Sequence, residues 1–334
     1  MKKMLFATLL AALAFGAEGF KVITKYKIGG EGRWDYPYVD SASRRLYVSH
    51  GSSLEVLDAD SGKLIKTIGQ LHGVHGIAIA PELNRGYITN GQTSSITAFD
   101  LKTFEKVGEP SVGKNPDAVC YDPKTKRVIA VNHSGTDLSI IDGKTMELIK
   151  SVQTGPTGEF CAVDGAGKVY VNLEDPSELL EIDIAKGEVT RRMSLAPCEG
   201  PTGLSIDTKN KKLFSVCGNS MMAVVDIPSF KVIATPATGP GTDGGGFDPG
   251  LGYAYASNGG GNGTLTIVKL VNGKYETVDQ VPTTRGARTM AVDEKTHRVY
   301  LLAAEYGPAQ ETKDGKKGRG QVLPDSFGVL VVGK

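Results

Sequence analysis

Asp35, His75, Asp117, Glu159 and Asp243 recur at separations of 40, 42, 42 and 84 residues, and each opens a short stretch of small and apolar residues such as Gly76-Ile-Ala-Ile-Ala80. Thr202 and Arg288 take the same place in two further copies. Brought together at equivalent positions of a ring, four carboxylates and an imidazole cannot all stay ionised without a cation or a shared proton. Hard oxygen donors joined by one imidazole suit Ca²⁺, Mn²⁺ or Zn²⁺, according to how many approach. His75, Asp117 and Glu159 are therefore candidate ligands of a divalent cation, with His72, in His72-Gly-Val-His75-Gly, as a second imidazole nearby. The competing reading is a hydrated channel mouth, its charges spaced by water and balanced by Arg288.

Other residues at the same end favour ligand binding. Arg33, Trp34 and Tyr36 flank Asp35, and Trp34 is the one tryptophan of the chain. It suits stacking on a planar or sugar-like ligand, or it wedges the first repeat against the last. Arg285 and Arg288 suit a carboxylate or phosphate, or else pair with Asp35. A second set, His50, Asn90, Asn132, Leu173, Cys217, Asn258 and Ala303, closes the next strand of each copy. Because two strands of a hairpin bring the start of one beside the end of the other, His50, Asn132 and Asn258 are expected on the same rim.

The elements that must position these residues are repeats. Arg45-Leu-Tyr-Val-Ser-His50, then Leu54-Glu-Val-Leu-Asp58 and Ser61-Gly62-Lys63, reads as two short strands and two turns. The Tyr47 position returns as Tyr87, Ile129, Tyr170, Phe214, Tyr255 and Tyr300, at intervals of 40, 42, 41, 44, 41 and 45 residues. The Asp58 position returns as Asp100, Asp142, Asp183 and Asp226. A period of 40 to 45 residues with four short strands per unit is that of a propeller blade, and no 3.6-residue periodicity points to helical pairs. The expected fold is all-β: a seven-bladed β-propeller with four antiparallel strands per blade.

The seventh copy offers three strands before the chain stops, at 289–293, 298–302 and 327–332. Lys21-Val-Ile-Thr-Lys-Tyr-Lys-Ile28 matches the outer strands of the other copies, so the N-terminal strand is expected to complete the last blade and remove two open edges. A long connection, about 303–325, interrupts that blade and contains the only basic cluster, Lys313 to Arg319. Loops of that length are lids, partner-binding segments or spacers.

Residues 1–19, with Lys2 and Lys3, an apolar run from Met4 to Phe15 and then small residues, have the layout of a secretory signal peptide, leaving 20–334 as one domain. The run is shorter than the roughly 20 residues of a membrane span. Export to the periplasm or outside is expected, with no transmembrane segment in the mature chain. Its 36 basic and 36 acidic residues argue against nucleic-acid binding, which needs a positive surface. Of four cysteines, Cys198 and Cys217 are expected to bridge in the fifth repeat, a thiolate metal site being the alternative. Cys120 and Cys161, inside apolar strands, are expected to be buried free thiols.

Tyr47-Val-Ser-His50, Tyr87-Ile-Thr-Asn90, Tyr170-Val-Asn172 and Tyr255-Ala-Ser-Asn258, followed by Val-x-Asp-like strands and Gly-Lys turns, resemble the YVTN repeat of bacterial propellers. Over the whole mature length the chain is similar to the YncE-like exported proteins of that class. The resemblance implies the seven-bladed fold and leaves function open, since such rings host binders, surface-layer pieces, enzyme subunits and lyases. No nucleophile elbow, phosphate loop, zinc-protease helix or dinucleotide fingerprint is present, and no catalytic residue is assigned. The expected function is a ligand-binding or protein-interaction scaffold with a polar, cation-binding funnel, its partner a small molecule or another envelope protein. The alternative is a metal-dependent lyase or hydrolase in the same funnel.

Overall fold

The structure is a computed structural model and describes residues 19–30, 33–308 and 320–334. The proposed signal peptide thus lies outside the described residues, apart from Gly19, as does the basic cluster at 313–319. The described chain forms seven four-stranded antiparallel sheets. Their innermost strands are Trp34–Asp40, Val74–Ala80, Pro116–Asp122, Gly158–Val163, Pro201–Asp207, Thr242–Asp248 and Met290–Asp293. Blades 1 to 7 are numbered in that order.

Closure follows the sequence expectation. Lys21–Lys27 pairs antiparallel with Gly328–Gly333 as the outer strand of blade 7. The seam between blades 7 and 1 is held by Arg44, whose Nη1 lies 2.7 Å from Oδ2 of the fully buried Asp293. Tyr300 Oη, also from blade 7, donates to the carbonyl of Ala59 in blade 1 at 2.8 Å.

The recurring residues have separate mechanical roles. The aromatic of the second strand is buried between blades: Tyr47, Tyr87, Tyr255, Tyr300 and Phe214 are each at most 1% exposed. Where it is tyrosine the hydroxyl can reach the next sheet, as Tyr87 Oη does to Gly143 O at 2.6 Å. The recurring Asp ends the third strand and holds the following turn by accepting backbone N–H groups, Ser61 at Asp58, Thr103 at Asp100, Thr145 at Asp142, Lys186 at Asp183 and Ser229 at Asp226. The Ser61 and Ser229 hydroxyls at Asp58 and Asp226, and the backbone N–H groups at all five, hold the carboxyls below their ordinary range.

The connection at 303–325 begins and ends as a hairpin. Gly307 N donates to Gln321 O and Leu323 N to Glu305 O, both at 2.8 Å, around an isolated pairing of Tyr306 with Val322.

Candidate functional site

Each inner strand of blades 1 to 6 departs from regular pairing just after its first residue, as between Trp34 and Pro37 or Val74 and Ile77. A bulge re-aims the side chain beside it. Here that residue is Asp35, His75, Asp117, Glu159, Thr202 or Asp243, and the first expected ring comes together.

Side chains of the neighbouring blade fix the backbone of this ring. Thr89 Oγ1 donates to Asp117 O at 2.7 Å, Thr202 Oγ1 to Asp243 O at 2.8 Å, Thr289 Oγ1 to Asp35 O at 2.6 Å and Ser257 Oγ to Arg288 O at 2.5 Å. Glycine sets the spacing at Gly76, where a Cβ would stand 2.7 Å from Asp117 O and 2.8 Å from Val119 N. Only a residue without a side chain lets the strand of Asp117 come so close to His75.

Two clusters of possible ligands result. His75 Nδ1 lies 2.6 Å from Asp35 Oδ2 and 3.3 Å from Asp117 Oδ1. His133 Nδ1 lies 2.9 Å from Glu159 Oε2. Within Asp35–His75–Asp117 and within Asp117–His133–Glu159, one donor atom per residue lies within 4.8 Å of the others. Asp117 Oδ1 is inaccessible and has no hydrogen-bond partner, His75 Nδ1 at 3.3 Å being the ion-pair neighbour, whereas His133 Nδ1 is paired with Glu159. Burial pushes the Asp117 carboxyl well above the ordinary range, aided by Asp35, Glu159 and Asp243. Burial also lifts Asp243 to about 6, against the pull of Arg288. Glu159 holds the His133 imidazole above its usual value. A divalent cation would supply the charge this cluster lacks.

The expected ligand trio is therefore redistributed. His75 and Glu159 belong to different clusters joined by Asp117, and His133 enters as a candidate that repeat positions alone did not single out. It sits one residue past the second strand of blade 3, where its turn folds toward Glu159 of blade 4.

A cavity of about 530 Å³ opens beside the first cluster, lined by Arg33, Trp34, Asp35, His72, His75 and Arg288 among others. Arg288 pairs with Asp243 and reaches Asp35 at 3.8 Å. Arg285 is exposed and does not line this cavity. Trp34 stacks on Phe327 of blade 7 at 4.8 Å, the wedge reading, while one edge still faces the cavity.

The second expected ring turns away from the funnel. Asn132 and Asn258 are buried within their own blades, where Nδ2 donates to Ser139 Oγ at 3.1 Å and Thr266 Oγ1 at 2.9 Å; Asn90 does the same to Thr97. The His50 ring packs against Phe327, with centroids 4.6 Å apart, in the seam between blades 1 and 7.

Below the carboxylates most lining residues of the channel are apolar, with Tyr38, Ser205 and Glu294 among them. A cavity of about 430 Å³ there is lined by Val39, Ile79, Phe160, Leu204, Phe247 and Val292, among others. The cysteine expectation is corrected here: Cys120 and Cys161 are not free thiols but a disulfide, Cα atoms 6.2 Å apart, beside this cavity. Inner strands of adjacent blades converge toward the axis, so matching positions come within bridging range. Cys198–Cys217 is a disulfide as expected.

Fold and site define the chain as a seven-bladed propeller with an acidic, histidine-bearing funnel. No family model matches it. Antigen Lp49 of Leptospira interrogans is 29% identical over 164 residues, 46% of this chain and 36% of that protein, so the match spans about a third of the relative. A chain of Kuenenia stuttgartiensis hydrazine synthase superposes with a TM-score of 0.71, covering 82% of this chain and 94% of that one at 17% identity. That likeness concerns the fold. No helix among the described residues is long and apolar enough to cross a membrane.

Proposed function

We propose that the protein is an exported binding propeller whose funnel holds a divalent cation and, in the cavity beside it, a small anionic ligand or an acidic group of a partner envelope protein. The observation that carries this reading is the Asp35–His75–Asp117 cluster with its buried, unpartnered Asp117 oxygen. Such an oxygen is costly to leave unpaired, and a cation relieves that cost. The 530 Å³ volume suits a small ligand, and Arg33 and Arg288 on its lining favour an anion. Export is supported by the composition of residues 1–19 and by partial similarity to a protein named as an antigen. Membership of the YVTN-repeat, YncE-like group rests on the tyrosine-centred repeats. In this reading residues 20–334 form one domain after removal of the signal peptide.

The test is elemental analysis of the exported protein, purified without a metal-affinity tag, beside an Asp117→Asn/His75→Ala double variant. Metal in the wild type that the variant lacks is expected. A wild type that stays empty under metal-replete conditions would overturn the reading.

A further inference from the structure

The two ligand clusters have one residue in common, Asp117. A single ion draws its donors to about 2.0–2.2 Å, so any two of them lie at most two bond lengths, about 4.3 Å, apart. Asp35 and His75 meet that condition with Asp117 on one side, after shifts of a few tenths of an ångström, and His133 and Glu159 do so on the other. The side chains thus form two half-sites about a shared carboxylate.

We infer that the funnel holds a pair of divalent cations bridged by Asp117, the first bound by Asp35 and His75 and the second by His133 and Glu159. This rests on the cation-binding reading above and goes beyond it in number and kind of ion. A carboxylate offers two oxygens and spans ions about 3.5–4 Å apart. Both imidazoles present Nδ1 to their carboxylates, and the inaccessible Asp117 Oδ1, which has no hydrogen-bond partner, falls at the bridge.

The donor sets also select the metal. Each ion receives one imidazole nitrogen and two carboxylates, with water filling the remaining positions. That mixture suits Mn²⁺ or Zn²⁺, whereas Ca²⁺ seeks six to eight oxygens. Glu174, close enough to act electrostatically on both His133 and Glu159, adds negative charge around the second half-site. Arg288, paired with Asp243 and close to Asp35, restrains that around the first.

The experiment is titration of the EDTA-stripped full chain with Mn²⁺, followed by calorimetry and electron paramagnetic resonance. Two ions per chain and an exchange-coupled spectrum are expected. His75→Ala and His133→Ala should each retain one ion with an isolated six-line signal. One ion in the wild type would overturn the pair while leaving the cation-binding reading in place. None would overturn both. Two ions without coupling would overturn the Asp117 bridge. Should either variant fail to fold, the stoichiometry and spectrum of the wild type still decide.

Discussion

Tyr36 of blade 1 and Phe160 of blade 4 meet ring to ring across the propeller axis, centroids 4.9 Å apart at an interplanar angle of 59°. Blades 1 and 4 are not neighbours, so this pair spans the channel, and Phe160 also lines the lower cavity. Burial and the surrounding Asp117, Asp35, Glu159 and Asp243 push the Tyr36 hydroxyl well above its ordinary pKa, so it stays protonated throughout the physiological range.

Tyr36→Ala should cost about 3 kcal/mol, in the range for removing a buried aromatic, and join the two cavities. Denaturant unfolding measures the first effect. An apolar fluorescent probe that enters the lower cavity should then be quenched by Mn²⁺ in the funnel in the variant alone. Equal quenching in the wild type would show that the pair is no barrier.

Without metal, thermal stability should fall as pH rises from about 4 to 7. Asp243 is raised from 3.8 to about 6, and Asp117 moves the same way. The folded state therefore holds protons that the unfolded chain has released, and stability is lost as they leave. For Asp243 that rise corresponds to about 3 kcal/mol. His133, raised by Glu159, adds a loss of the same sign as it deprotonates. The turn carboxyls act oppositely, but at lower pH, because theirs are lowered. Melting temperatures in EDTA at pH 5 and 7.5 test this, and a higher value at pH 7.5 would refute it.

Asp117→Asn should raise the melting temperature of the metal-free protein at pH 7.5 while removing cation binding. The substitution replaces a carboxyl that burial disfavours in its ionised form and whose Oδ1 has no hydrogen-bond partner, at little change in volume. A destabilised variant would show that the carboxylate has an internal role unrelated to metal.

Arg44→Ala tests the seam. It leaves the fully buried Asp293 carboxylate without its cation, although Thr296 Oγ1 and Lys295 N still donate to it. A loss of about 3 kcal/mol is expected, at the lower end for breaking a buried pair, with partial recovery in Arg44→Lys.

Reduction of Cys120–Cys161, which closes a separation of 41 residues, should cost about 4 kcal/mol on loop-entropy grounds. The Cys120→Ser/Cys161→Ser variant should reproduce that part of the melting shift seen with dithiothreitol.

The blade count, the strand order and the closing strand were legible because tyrosine and aspartate recur with the blade, each doing the same job in several copies. The first ring was legible for the same reason. The second was not: Trp34 pairs with His50 and Pro116 with Asn132, whereas the ring carboxylates stand one residue further on. In a strand one residue is the whole difference between two faces, so Asn132 and Asn258 point into the blade. His133 could be placed near the rim from its position after a second strand, but not matched with Glu159, because it lies in a turn, outside the periodic positions. Cys120 and Cys161 were misjudged because apolarity announces burial and says nothing of how tightly inner strands converge.

The pairing of Lys21–Lys27 with Gly328–Gly333 has a temporal side. The first of the two strands to be made must wait, unpaired, for one made more than 300 residues later. Until then the backbone donors and acceptors that Lys21–Lys27 later shares with Gly328–Gly333 have water in place of a sheet partner.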